Sequence, residues 1–205
     1  MNLKLRKLGT QDYRKTWASM QNVILSKGKE DPDELWLLEH FPVYTLGFGA
    51  SEEHLLSGNK IPVVRSDRGG EVTYHGPGQI VAYFLINLRR KKWGPKKLVN
   101  ELEASVIDFL KAYNITSTRQ SGDPGIYVED KKISSVGLKI KRGFSYHGLS
   151  INIDMDLSPF ENINVCGNKS LKVTHLNKFA EVSIDKAFID FEKTAKKRLE
   201  GIISR

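Results

Sequence analysis

Three stretches of the chain repeat apolar residues at spacings of three and four. Tyr13, Trp17, Met20 and Ile24 form the first stripe, which predicts a helix from about Thr10, as N-cap, to Lys27. Leu98, Leu102, Val106, Phe109, Leu110 and Tyr113 form the second, in a helix that starts near Pro95, a favoured first-turn residue. Ile184, Phe188, Phe191, Ala195 and Leu199 form the third, after Ser183. Core packing accounts for all three stripes. Between them lie runs rich in Val, Ile, Tyr and Phe at 35–38, 43–46, 80–86, 125–128, 132–140 and 145–153, which predict strands. Glu129-Asp130-Lys131 reads as the tip of a hairpin joining two of these. Strands outnumber helices and do not alternate with them, so an α+β fold with a mixed or antiparallel sheet flanked by helices is expected, not a doubly wound parallel one. The stretch from Met155 to Lys178 is expected to be mostly loop.

No repeat, low-complexity segment or Gly/Ser/Pro linker divides the chain, so residues 1–205 are expected to form one domain. Apolar residues make up 40% of the 205, enough for a core. No run approaches the roughly 20 apolar residues that span a bilayer, and MNLKLRKLGT lacks the apolar region of a secretory signal. A soluble, cytoplasmic protein is the expectation. The net charge is +8, and Arg89, Arg90, Lys91, Lys92, Lys96 and Lys97 form a run with no acid inside it. Lys139, Lys141 and Arg142 form a second basic group. Either is a solvated surface or a docking face for acidic proteins. No zinc finger, basic zipper or aromatic-basic RNA-binding strand is present, so nucleic acid is not an expected partner. The chain has one cysteine, Cys166, so an internal disulfide is excluded. A lone cysteine is either a small buried apolar residue or a nucleophile.

The densest feature is Arg68-Gly69-Gly70-Glu71-Val72-Thr73-Tyr74-His75-Gly76-Pro77-Gly78-Gln79. Glycines allow close backbone approach to a ligand and expose N–H groups. A tight turn would use Gly and Pro in the same way, but it does not need Arg, Thr, Tyr, His and Gln around them. The phosphate-cradling loop pattern is absent. Three further segments stand out: Lys132-Ile133-Ser134-Ser135-Val136-Gly137, Tyr146-His147-Gly148-Leu149-Ser150-Ile151-Asn152, and Asn164-Val165-Cys166-Gly167. Singly, each is weak. On the residues alone, a Cys–His pair using His75 or His147 is the favoured thiol chemistry, and a hydrogen-bonded wall is the plainer role for both.

Taken in order, R-G-G-x-x-T-Y-H-G-P-G-Q, K-I-S-S-V-G, H-G-L-S-I-N, M-D-L-S-P-F and N-x-C-G resemble the bacterial lipoyl(octanoyl) transferases. Leu35 to His40 and Pro42 to Gly47 fit the same family, so the resemblance covers roughly residues 33–175. It implies a fold shared with biotin and lipoate protein ligases. It also implies an acyltransferase that takes octanoate from acyl carrier protein onto an enzyme cysteine and passes it to a lysine ε-amine on a lipoyl domain. Acceptors implied are the lipoyl domains of 2-oxoacid dehydrogenase complexes and the glycine cleavage H protein. The reaction runs without ATP, and no metal or cofactor is implied. By the same resemblance, Cys166 matches the nucleophile and Lys132 the lysine that activates it, in preference to either histidine. Arg68, Gly69, Gly70, Glu71, Val72, Thr73, Tyr74 and His75 match substrate-contacting positions. So do Ser135, Val136, Gly137, Gly148, Leu149 and Ser150. The competing readings are an ATP-dependent lipoate or biotin ligase, which needs no cysteine, and a non-catalytic module that binds acidic proteins.

Overall fold

The computed structural model describes residues 3–56 and 60–200, and of Cys166 the main chain only. Nine strands and four α-helices follow one another among these residues: β1 (Leu3–Gln11), α1 (Tyr13–Ser26), β2 (Asp33–His40), β3 (Val43–Leu46), β4 (Val63–Arg65), β5 (Val72–His75), β6 (Gln79–Leu85), α2 (Leu88–Lys91), α3 (Pro95–Lys111), β7 (Gly125–Val128), β8 (Lys131–Lys141), β9 (Phe144–Asn152) and α4 (Ile184–Glu200). Six strands form one sheet in the order β1-β2-β6-β9-β8-β7, and three form a second in the order β4-β3-β5. Each sheet is mixed. The β1–β2 and β3–β4 pairs are parallel, and the others are antiparallel.

The central strands of the large sheet are apolar on both faces because helices cover both. Leu35, Leu37, Ile80, Ala82 and Phe84 share a core with Leu98, Leu102, Val106 and Phe109 of α3 and Phe191 of α4. The intervening residues Trp36, Leu38, Val81, Tyr83 and Leu85 face Met20 and Ile24 of α1. The period of two in strands thus divides one continuous apolar run between two cores. Glu129 and Asp130 both have positive φ, 48° and 61°, and make the two-residue turn between β7 and β8. Arg142 and Gly143 repeat the device between β8 and β9, with φ of 56° and 87°.

One expectation is corrected. The first helix is capped by Asp12, whose side chain accepts from the Lys15 N–H at 2.9 Å, while Thr10 belongs to β1, which pairs with β2. The basic run from Arg89 spans α2 and the first turn of α3, and part of it is paired. Arg90 holds buried Asp33 at 2.7 Å, Lys97 meets Glu101 at 2.5 Å, and the Lys91 ammonium donates to the Leu199 carbonyl. Asp33 comes from β2, whereas Glu101 lies one helical turn after Lys97 on α3 itself. From Met155 to Lys178 the chain is loop broken by one-turn helices, as expected.

Candidate active site

A cavity of about 370 Å³ opens on the α1 face of the large sheet, roofed by the segment that links β4 to β5. Such a volume lies in the usual range for small-molecule sites, roughly 300–1,000 Å³. Three stretches far apart in sequence wall it: Arg68 to Thr73 with His75, Ser135 to Leu138, and His147 to Ser150. The pairing of β8 with β9 brings the last two together, with Ser135 opposite Ser150 and Gly137 opposite Gly148. A hydrogen bond from Gly69 N–H to the Leu138 carbonyl, 2.9 Å, fastens the roof to the sheet. Gly148 is required by close approach, since a Cβ there would lie 2.0 Å from the Ala82 carbonyl oxygen.

Arg68 is buried, and its guanidinium ties the roof to β3. It donates to the carbonyls of Gly69, Thr45 and Glu71 at 2.9, 2.6 and 2.8 Å, and to the Thr45 hydroxyl. Tyr74 does not line the cavity. On β5, Thr73 and His75 point inward, so Tyr74 falls on the other face and packs against Tyr44 and Phe160. The other residues matched to substrate contacts all border the cavity.

Lys132 lies in the cavity wall with its side chain 1% exposed, and its ammonium donates to Asp123 Oδ1 at 2.6 Å. The chain after Cys166 wraps this residue: Lys132 N–H donates to the Lys172 carbonyl and Thr174 N–H to the Lys132 carbonyl. The Cys166 main chain forms a one-turn helix, Val165–Gly167. A Cβ on Gly167 would sit 3.7 Å from Glu71 Cγ, so this turn adjoins the cavity wall. The Cys166 side chain lies outside the described residues.

Both histidines of the rival reading are hydrogen-bonded and buried. His75 Nδ1–H donates to Gln79 Oε1 at 2.7 Å, and burial pulls its pKa from 6.5 to about 3. His147 donates from Nε2 to Asp67 Oδ1 at 2.8 Å, and burial lowers its pKa too, against the pull of that carboxylate. Its φ is 58°, a strained value inside a strand. Asp67 also accepts from Trp17 Nε1 and the Tyr146 hydroxyl. Burial pushes the Asp67 carboxyl up, but the hydrogen bonds, His147's first, outweigh it and hold the pKa well below the carboxylate range. Both imidazoles are therefore neutral at pH 7. Sequence reasoning missed Asp67, Tyr13, Tyr83 and Asp123. Asp67 adjoins the glycine-rich motif, and Asp123 sits in Gly-Asp-Pro-Gly, which reads as an ordinary turn. Among the described residues, no group of three His, Cys, Asp or Glu side chains is placed to hold a metal, and no helix is long and apolar enough to cross a membrane.

A cavity between two mixed sheets, roofed by a glycine-rich segment, defines a class of protein. The family model for the lipoyl protein ligase A/B catalytic domain matches residues 12–195. The fold is shared with lipoate-protein ligase A bound with ATP, at a TM-score of 0.83 and 17% identity over 97% of this chain and 86% of that one. A biotin protein ligase from Aquifex aeolicus follows at 0.56 and 14%, over 98% and 70%. Within the class, the chain is 53% identical over 175 residues to the octanoyltransferase of Vibrio atlanticus (strain LGP32), covering 85% of this chain and 80% of that protein. It is 51% identical to the octanoyltransferase of Alkalilimnicola ehrlichii over 85% and 81%. The chain belongs to the octanoyltransferase family and is an acyltransferase.

Proposed function

We propose that this protein transfers an octanoyl group from octanoyl-acyl carrier protein, through a thioester on Cys166, to the ε-amine of a lysine on a lipoyl domain. Lipoyl domains of 2-oxoacid dehydrogenase complexes and the glycine cleavage H protein are the acceptors. The observation that carries this reading is the cavity. Its walls come from the three segments that match the octanoyltransferase pattern, and Lys132 lies among them beside the cysteine-bearing loop. Kinship of the fold to an archaeal lipoate protein ligase studied with its E2 lipoyl domain is consistent with a lipoyl-domain acceptor.

The chemistry balances with groups of this chain. The Cys166 thiolate attacks the donor thioester, the carrier thiolate leaves, and Lys132 gives it a proton. Lys132 is then a neutral amine in a dry wall. The acceptor lysine sheds one proton to water and attacks the acyl-cysteine as a free amine. Lys132 takes the second proton as the amide forms, and Cys166 leaves as thiolate. Backbone N–H groups of the cavity wall stabilise the oxyanions. His75 and His147, neutral and hydrogen-bonded, serve as wall.

Intact-mass measurement with octanoyl-acyl carrier protein tests the proposal. Wild type is expected to gain one octanoyl group, and Cys166→Ser none. The wild-type adduct should then pass to a lipoyl domain without ATP. Transfer by Cys166→Ser at the wild-type rate rules out the covalent route. A need for ATP restores the ligase reading.

A further inference from the structure

Lys132 carries its charge into a place almost closed to water, and its surroundings say how. Asp123 Oδ1 accepts from Nζ at 2.6 Å, and Asp123 Oδ2 accepts from the Tyr127 hydroxyl at 2.5 Å. The Lys132 side chain is 1% exposed and that of Asp123 29%. The Tyr127 ring centroid lies 5.4 Å from Nζ. The turn that presents Asp123 is itself anchored. Glu103 of α3 accepts from the Gly125 N–H at 3.0 Å and from Arg119 Nε at 2.8 Å. Gly125 has φ of 148°, and a Cβ there would lie 2.6 Å from Lys132 Cε, so the turn closes tightly over the lysine. A chain of contacts thus runs from α3 through the turn to Nζ.

We propose that Asp123 is a positioning residue for Lys132: it fixes the place of Nζ and sets an opposite charge against it. The inference rests on the reading that Lys132 exchanges protons at the Cys166 thioester. Asp123 makes and breaks no covalent bond. It remains a carboxylate while Lys132 protonates the leaving carrier thiolate, and it stabilises the ammonium that re-forms when the acceptor amine gives up its proton. Among the described residues, the charged or titratable groups around Lys132 include Asp123 and Tyr127 on the neighbouring turn and strand, Glu103 behind them, and Glu71 across the cavity. Lys131 stands beside it on β8, and Lys172 and Cys166 belong to the loop that wraps it.

Asp123→Asn keeps the shape and an acceptor oxygen and removes the charge. The assay is the single-turnover rate of Cys166 acylation against pH, read by intact mass, with transfer to a lipoyl domain in parallel. Acylation needs a proton on Nζ, so removing the contacting opposite charge should move its alkaline limb to lower pH. Asp123→Glu should restore the limb in part. Glu103→Gln loosens the same turn and removes a charge already paired with Arg119, so it should slow acylation with a far smaller limb shift than Asp123→Asn. An Asp123→Asn limb that coincides with wild type overturns the proposal. So does a limb shift of equal size in Glu103→Gln, which would assign the effect to the turn. If wild-type Cys166 never becomes acylated, the underlying reading fails first and this one falls with it.

Discussion

Replacing Arg68 with Met asks whether this arginine serves the substrate or the cavity roof. The guanidinium meets three backbone carbonyls, those of Gly69, Thr45 and Glu71, at 2.6–2.9 Å. Hydrogen bonds to a charged group contribute about 1.5–3 kcal/mol each. Even the lower figure, for three carbonyls left without a donor, gives about 4–5 kcal/mol. Relief of burying a charge offsets part of this, as does water reaching the cavity side. A net loss of about 3 kcal/mol is expected. For a chain of this size, each kcal/mol lowers Tm by about 2–4 °C, so Arg68→Met should melt about 6–12 °C below wild type. Arg68→Lys, with one compact ammonium in place of the planar fork, should fall between the two. Thermal unfolding by circular dichroism, alongside the transfer assay, reads both effects. An Arg68→Met protein that melts within about 2 °C of wild type while KM for the donor rises steeply would refute the reasoning. The guanidinium would then belong to the substrate and not to the roof.

Two further outcomes are expected. His40 and His75 have folded-state pKa values of about 4 and about 3, below the ordinary 6.5, because burial disfavours the imidazolium. The unfolded chain therefore takes up protons first, so stability is full above about pH 6.5 and drains between there and about pH 4 for His40 and about pH 3 for His75. Urea midpoints measured across that window should fall steadily, and His40→Asn should flatten the slope; a slope unchanged in the variant contradicts the assignment. Gly148→Ala places a methyl 2.0 Å from the Ala82 carbonyl oxygen and 2.8 Å from Phe84 Cδ2, in the middle of the paired strands β6 and β9. Overpacking that no side-chain rotation relieves should cost at least about 1–3 kcal/mol, and a wild-type urea midpoint would show that the strands yield.

The sequence by itself determined the local elements and the family. Apolar stripes of period 3.6 marked α1, α3 and α4, because a helix must turn one face to the core. Dense Val, Ile and aromatic runs marked β2, β3 and β6 to β9, and Glu129-Asp130 marked a turn. Motif order carried the family, since glycines and hydrogen-bonding residues at set spacings leave a linear trace. Other features needed the fold. Leu3–Gln11 is a strand because β2 lies beside it, and its own alternation is too weak to show that. Tyr74 leaves the cavity because pairing with β3 sets which face of β5 it takes. Arg90 is tied to Asp33, an anion on β2 that the local sequence does not supply. The pairing of Lys132 with Asp123 is decided by a turn anchored on α3. Ion pairs and cavity walls are relations between distant segments, and strand register and helix docking alone settle which side chains meet.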